Sequence, residues 1–168
     1  MSDTFQVLSM ANWQIDDKIM TRDPFLKFAT FDGTNFVGGL INHDQLSMSL
    51  GYKVLYTGTP GAVLEQTGLP QLPVENVVLH KGWNWIGHAP LSTYLIDEIA
   101  PVVGSFSADD QIKTRAGTSL KVGTCTGNNF GEARWAGDLV QLTPGIGYEF
   151  KVSQAITFCY GYLCGTTN

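Results

Sequence analysis

The feature that most constrains this chain is that its two halves repeat each other. Asp16-Asp17-Lys18-Ile19-Met20-Thr21-Arg22 reads against Asp109-Asp110-Gln111-Ile112-Lys113-Thr114-Arg115. Downstream, Leu26-Lys27 matches Leu120-Lys121, Thr30 matches Thr124, Gly33 matches Gly127, Asn35-Phe36 matches Asn129-Phe130, and Gly51-Tyr52 matches Gly147-Tyr148. The order is kept while the offset drifts slightly, as hairpins with different loop lengths would require. Upstream, Val7-Leu8 and Asn12-Trp13 align with Val78-Leu79 and Asn84-Trp85. The second copy then carries an insert, GHAPLSTYLIDEIAPVVGSFSA, that the first lacks. The organisation expected is a single domain over 1–168: pseudo-repeat one at 5–57, a proline-bearing linker at 58–75, pseudo-repeat two at 76–153, and a C-terminal strand or tail at 154–168.

Within each copy the local signals are those of strands. Phe25 to Phe31, Asp32-Gly33, then Phe36 to Ile41 is an apolar run, a D-G turn and a second apolar run, which predicts a hairpin. The second copy predicts its hairpin around Thr126-Gly127. Leu46 to Leu50 alternates apolar with polar, and Tyr148, Phe150 and Val152 alternate with Glu149 and Lys151, as half-buried strands do. The insert supplies one helix candidate: Leu91, Leu95, Ile96 and Ile99 have helical spacing, Ser92 or Thr93 can cap it, and Pro101 ends it. With 19 glycines at regular turn positions, the expectation is an all-β fold, an antiparallel sandwich or partly open barrel with one short helix.

Only 15% of the 168 residues are charged against 43% hydrophobic, which leaves much of the surface neutral or apolar and suited to contact. The net charge of -5 and the scattering of ten Lys and Arg along the chain argue against nucleic acid. No apolar run approaches the roughly 20 residues of a membrane span, and MSDTFQVL lacks the basic start and apolar core of a secretion signal. Cys125, Cys159 and Cys164 form no C-x-x-C pair; ordinary buried thiols are expected ahead of a Cys159–Cys164 bridge.

Signals of catalysis are lacking. Gly104-Ser105-Phe106-Ser107 does not satisfy G-x-S-x-G. Gly145-Ile146-Gly147 lacks the third glycine of a dinucleotide fingerprint and reads as a hairpin loop behind Pro144. His43, His80 and His88 have no metal spacing and are expected at the surface or at strand ends. The Asp16-Asp17 and Asp109-Asp110 pairs raise the two-carboxylate chemistry of glycosidases. Their equivalent placement in both copies favours a structural turn or strand entry. No enzyme activity, cofactor or metal is expected.

Aromatic residues remain as recognition candidates. If 79–87 is one extended strand, Leu79, Lys81, Trp83, Trp85 and Gly87 share a face, and His80, Gly82, Asn84 and Ile86 share the other. Trp85 aligns with Trp13, so both belong to the scaffold together with Gly51, Gly147, Tyr52 and Tyr148. Trp83 and Trp135 have no tryptophan partner in the first copy. With Tyr94 and Arg134 they are the candidates for a binding surface, the competing expectation being that Trp83 packs on the inserted helix.

The series GWNWIG at Gly82 to Gly87, Pro90-Leu91, Asp110 to Lys113, W-x-G-x-L at Trp135 to Leu139, and LTPGIGYEFK at Leu142 to Lys151 resembles repeat modules in multidomain surface proteins of marine algae and bacteria. The resemblance covers about half of the chain, and Asp109 stands where the modules carry Gly before the aspartate of their IK motif. It implies an extracellular, adhesive or structural β module without catalysis, and assigns no binding residue.

Two roles follow. The first is a non-enzymatic structural subunit that docks on or tiles into a repetitive assembly such as a virion, a shell or a surface layer, with other protein subunits, including copies of itself, as partners. The alternative is a carbohydrate-binding, lectin-like module that stacks glycans on exposed tryptophans.

Overall fold

A computed structural model describes residues 13–40, 49–59, 76–116, 119–129 and 132–161. Val7, Leu8, Asn12, His43, Leu46 to Met48, most of the linker and Cys164 lie outside these residues. The fold is all-β and antiparallel. Strands β1 (Lys18–Arg22), β2 (Leu26–Phe31), β3 (Phe36–Val37) and β4 (Tyr52–Leu55) form a sheet in the order β3-β2-β1-β4. Strands β6 (Gly82–Gly87), β9 (Gln111–Ala116), β10 (Ser119–Asn129), β11 (Glu132–Gly137) and β13 (Gly147–Val152) form a second, in the order β11-β10-β9-β13-β6. A third sheet, β5 (Val77–Leu79), β14 (Ile156–Tyr160) and β8 (Ile99–Val103), runs β5-β14-β8, and β7 (Tyr94–Leu95) pairs with β12 (Gln141–Leu142).

The same frame is built twice. The turn Gln14–Asp17 closes with Asp17 N–H donating to Gln14 C=O, and Ser107–Asp110 closes with Asp110 N–H donating to Ser107 C=O, at 3.0 and 3.1 Å. Asp16 and Asp109 are the two non-glycine residues with positive φ among those described, 71° and 69°, a conformation that the short polar Asp tolerates. The buried carboxylate of Asp17 accepts from the amides of Gln14 and Thr57; that of Asp110 accepts from the amides of Ser107 and Ser153. The Thr21 hydroxyl donates to Gly51 C=O and the Thr114 hydroxyl to Gly147 C=O, at 2.8 and 2.7 Å. Gly38 and Gly137, with φ of 134° and 136°, press against Phe28 C=O and Val122 C=O, where a Cβ would collide.

This register amends the sequence alignment. Asp17 and Asp110 each hold the residue three positions before, so Trp13 corresponds to Phe106 and not to Trp85. Phe31 pairs with Phe36, and Cys125 pairs with Trp135, so Trp135 has a counterpart after all, Phe36. Each half keeps one edge-to-face Trp–Phe pair with the partners exchanged: Trp13 on Phe36 at 4.8 Å and Trp135 on Phe106 at 5.1 Å. The alignment hid this because the second hairpin is longer. Ten positions separate Cys125 from Trp135, where five separate Phe31 from Phe36. Thr126-Gly127 is not its turn; the register shifts there, between Cys125 and Gly127, as at a bulge inside β10.

The insert differs from expectation as well. In place of a helix over Leu91 to Ile99 there is one 3-10 turn, Ile96–Glu98, between β7 and β8. Pro101 lies inside β8, opposite Phe158. The apolar spacing served burial of Ile96 and Ile99, while Leu91 and Leu95 remain exposed. β8 and β14 contribute Ile99, Ile156 and Phe158 to the same core as β6, β9 and β13. Phe150 stacks on Phe158 at 5.5 Å in a core that includes Leu79, Ile86, Ile112 and Val152. Among the described residues the first half has a small cluster: Ile19, Ala29 and Leu40, packed by Trp13, Phe36 and Tyr52.

Candidate interaction face

The first and second sheets join edge to edge. Leu50 bridges Ile86, Gly51 N–H donates to Trp85 C=O, and Gly87 N–H donates to Ser49 C=O. Gly51 approaches so closely that a Cβ would stand 2.9 Å from the Ile86 backbone. The residues alternating with the core therefore make one outer face. Register sets it out in rows: Val37, Thr30, Lys18 and Leu55; then Phe28, Met20 and Lys53; then Leu26 and Arg22. In the second sheet the matching rows are Ala136, Thr124, Gln111, Lys151 and Trp83; then Val122, Lys113, Glu149 and Trp85; then Leu120 and Arg115.

Trp83 and Trp85 stand on this outer face, half-buried, while Asn84 and Ile86 point inward. The expected face held for the pair but not for Leu79, which is fully buried in the core. The reason is a break at His80–Lys81: Gly82 has φ of 101°, so the strand is two strands, β5 and β6, in different sheets. Asn84 holds the break together, accepting from the His80 amide and donating to the carbonyls of His80 and Gly82.

Each indole on the outer face carries an ammonium. Lys113 Nζ lies 4.0 Å from the Trp83 ring centroid and Lys53 Nζ 4.2 Å from that of Trp85, within cation–π range. Both lysines also pair with Glu149, Lys113 at 3.1 Å. Burial raises the Glu149 carboxyl, but the hydrogen bonds and charges of Lys53 and Lys113 outweigh it and hold the group below the usual glutamate range. Because Lys53 comes from the first half and Lys113 from the second, this network spans the junction.

The four sequence candidates are not brought together. Trp83 is on the outer face, opposite Lys151 and under the Lys113 ammonium, and the insert offers no helix for it to pack on. Trp135 points to the inner side against Phe106, and its backbone N–H, not that of Trp83, reaches the insert through Asp97 at 3.3 Å. Tyr94 packs against the core beside His88 and Tyr160, while Arg134 is exposed on β11. Among the scaffold residues, Tyr52 supports the small cluster and Tyr148 is buried, its phenol accepting from the Thr143 amide.

His88 stands at a strand end, just after β6, and is buried there: one ring nitrogen, Nε2, is 2.8 Å from Ser92 C=O, and Nδ1 is buried with no partner. Burial lowers its basicity further than the Ser92 carbonyl restores it. Cys159 is disulfide-bonded, whereas Cys125 is a free buried thiol; ordinary thiols had been expected at both. The open depression lined by Gln14, Ile15, Tyr56 and Thr57 borders Asp17, whose carboxylate burial would raise but whose bonds from Gln14 and Thr57 lower.

What sequence reasoning missed is the outer face itself. Lys18, Arg22, Lys53, Lys113, Arg115, Arg134 and Lys151 are scattered in sequence, yet strand alternation and pairing gather them on it. Seven of the ten cations stand there, with Glu149 the one carboxylate among the described strand residues whose side chains are placed. Period-two spacing within Lys18–Arg22 and Lys113–Arg115 was the available signal. Comparison with protein-family models, with curated proteins and with solved structures yields no match.

Proposed function

We propose that this protein is a non-enzymatic structural subunit that docks on or tiles into a larger repetitive assembly, such as a virion, a shell or a surface layer, and that the outer sheet face is its contact surface. This reading takes the five- and three-stranded sheets as the two layers of a sandwich, closed inside, so that recognition falls to the outside. One observation carries it: Leu26, Phe28, Val37 and Leu55 are 48–52% exposed on adjoining strands of one face. Apolar side chains gathered in this way mark contact surfaces. The resemblance to surface-protein modules supports the same role. The supported test is light scattering on the purified chain across concentration: species larger than monomer are expected, and Phe28→Asp should remove them while leaving the unfolding transition cooperative. A chain that stays monomeric when concentrated would overturn the reading.

The carbohydrate-binding alternative keeps Trp83 and Arg134 of its candidates on this face, and Lys113 covers the Trp83 ring. A glycan array tests it; binding that Trp83→Ala abolishes would favour it.

A further inference from the structure

The outer face is charged as well as apolar. Among the described side chains, seven cations and one carboxylate stand on it, on a chain whose net charge is -5. Lys53 and Lys113 share Glu149, which offsets one of their two charges. Among the described residues, Lys18, Arg22, Arg115 and Lys151 have no ion-pair partner. Asp16, Asp32, Asp97, Asp109 and Asp138 are exposed in the segments between the strands of the outer face. The unpaired cations are thus carried by the sheet face and these carboxylates by the connections.

Such a face is ill-suited to docking on itself, because a two-fold contact would set basic surface against basic surface, at a cost of several kcal/mol. It is complementary to the acidic connections of another molecule. We infer that the basic, apolar sheet face of one copy docks on the acidic surface of a second copy, making a heterologous, head-to-tail contact. This rests on the structural-subunit reading and supplies its geometry: a contact between unlike surfaces leaves one basic and one acidic face free on every pair, so growth continues into a ring or an open array. The apolar rows provide the desolvated contact, and the cations set partner and orientation.

The test uses the full chain in sedimentation velocity, with the variant Arg115→Glu/Lys151→Glu, which alters two exposed side chains that have no ion-pair partner among the described residues. Far-ultraviolet circular dichroism checks its fold. The wild type should associate, more weakly at 1 M salt, where screening acts over about 3 Å, and the double variant should lose association at least about tenfold. Because the variant keeps its acidic surface, adding it to wild type should cap growth and shorten the assemblies. Asp16→Asn/Asp109→Asn, which retains a residue tolerant of positive φ, should weaken association from the other side. Wild-type association that the double variant shares in full would overturn the head-to-tail contact and leave the structural-subunit reading standing. A monomeric wild type whose basic face instead captures heparin or polyglutamate would overturn both and make the face a polyanion site. A monomer that binds neither would also overturn both.

Discussion

The two halves of the molecule share a hydrogen-bonded frame and differ in what covers it. In each, an Asp turn at positive φ leads into a strand, a buried carboxylate ties that strand to the end of another, and a threonine hydroxyl crosses to a glycine carbonyl. The second half packs Phe150 and Ile112 into one core with Ile156 and Phe158 of a further sheet. The first leaves Val54, the counterpart of Phe150, 39% exposed. The outer faces diverge in the same positions: Met20 and Leu55 in one half become Lys113 and Lys151 in the other. The lesson is that the backbone frame is held by a few buried polar bonds, while apolar content is free to move between inside and outside.

Substitutions at equivalent positions can break or sharpen this comparison. The largest effect is expected at Phe150→Ala, about 3–5 kcal/mol from lost burial and the cavity left behind, against under about 1 kcal/mol for Val54→Ala. Urea unfolding of both checks it; equal losses would show that the first half has a core of its own. Next, Asp17→Ala and Asp110→Ala should each cost about 1–3 kcal/mol, since either leaves buried amide donors unsatisfied. Similar losses indicate one shared frame, and a silent Asp17→Ala would break the equivalence.

A smaller effect concerns a group found only in the second half. The folded state depresses the basicity of His88, so the unfolded chain binds the proton more tightly. Stability from this residue is present above the unfolded pKa near 6.5 and falls as pH drops below it, by at most about 1.4 kcal/mol per pH unit. Urea midpoints at pH 7.5 and 5.5 check the slope, which His88→Gln should flatten. The smallest effect is at the outer face, where Phe28→Ser and its counterpart Val122→Ser should change monomer stability by about 0.5 kcal/mol or less. Chemical denaturation at low concentration checks this; a larger loss at Phe28 would place that residue in the core.

Much of the frame was legible. Identical residues at Asp16-Asp17 and Asp109-Asp110, Thr21 and Thr114, and Gly51 and Gly147 are the ones whose side chains or carbonyls close the frame, because turn geometry and buried hydrogen bonds tolerate few replacements. The aromatic pairs were not legible. Trp13 with Phe36 and Phe106 with Trp135 fill similar space with the larger ring on opposite sides, so identity matching led to Trp85 instead. The helix expected in the insert failed for a related reason: the spacing of Ile96 and Ile99 is met equally by a single turn between two short strands that tertiary pairing holds extended.

What the sequence by itself determined is the all-β class, the repeated strand pattern and the side on which Tyr148, Phe150 and Val152 fall, since these follow from period-two alternation and local turn chemistry. Only the tertiary structure decided which strands lie side by side, and with them the outer face. Leu50 meeting Ile86 aligns two sheets, and that contact brings Lys53 over Trp85 and onto Glu149, 96 positions away. Period-two alternation says that a lysine points outward; strand order says which indole and which carboxylate it finds there.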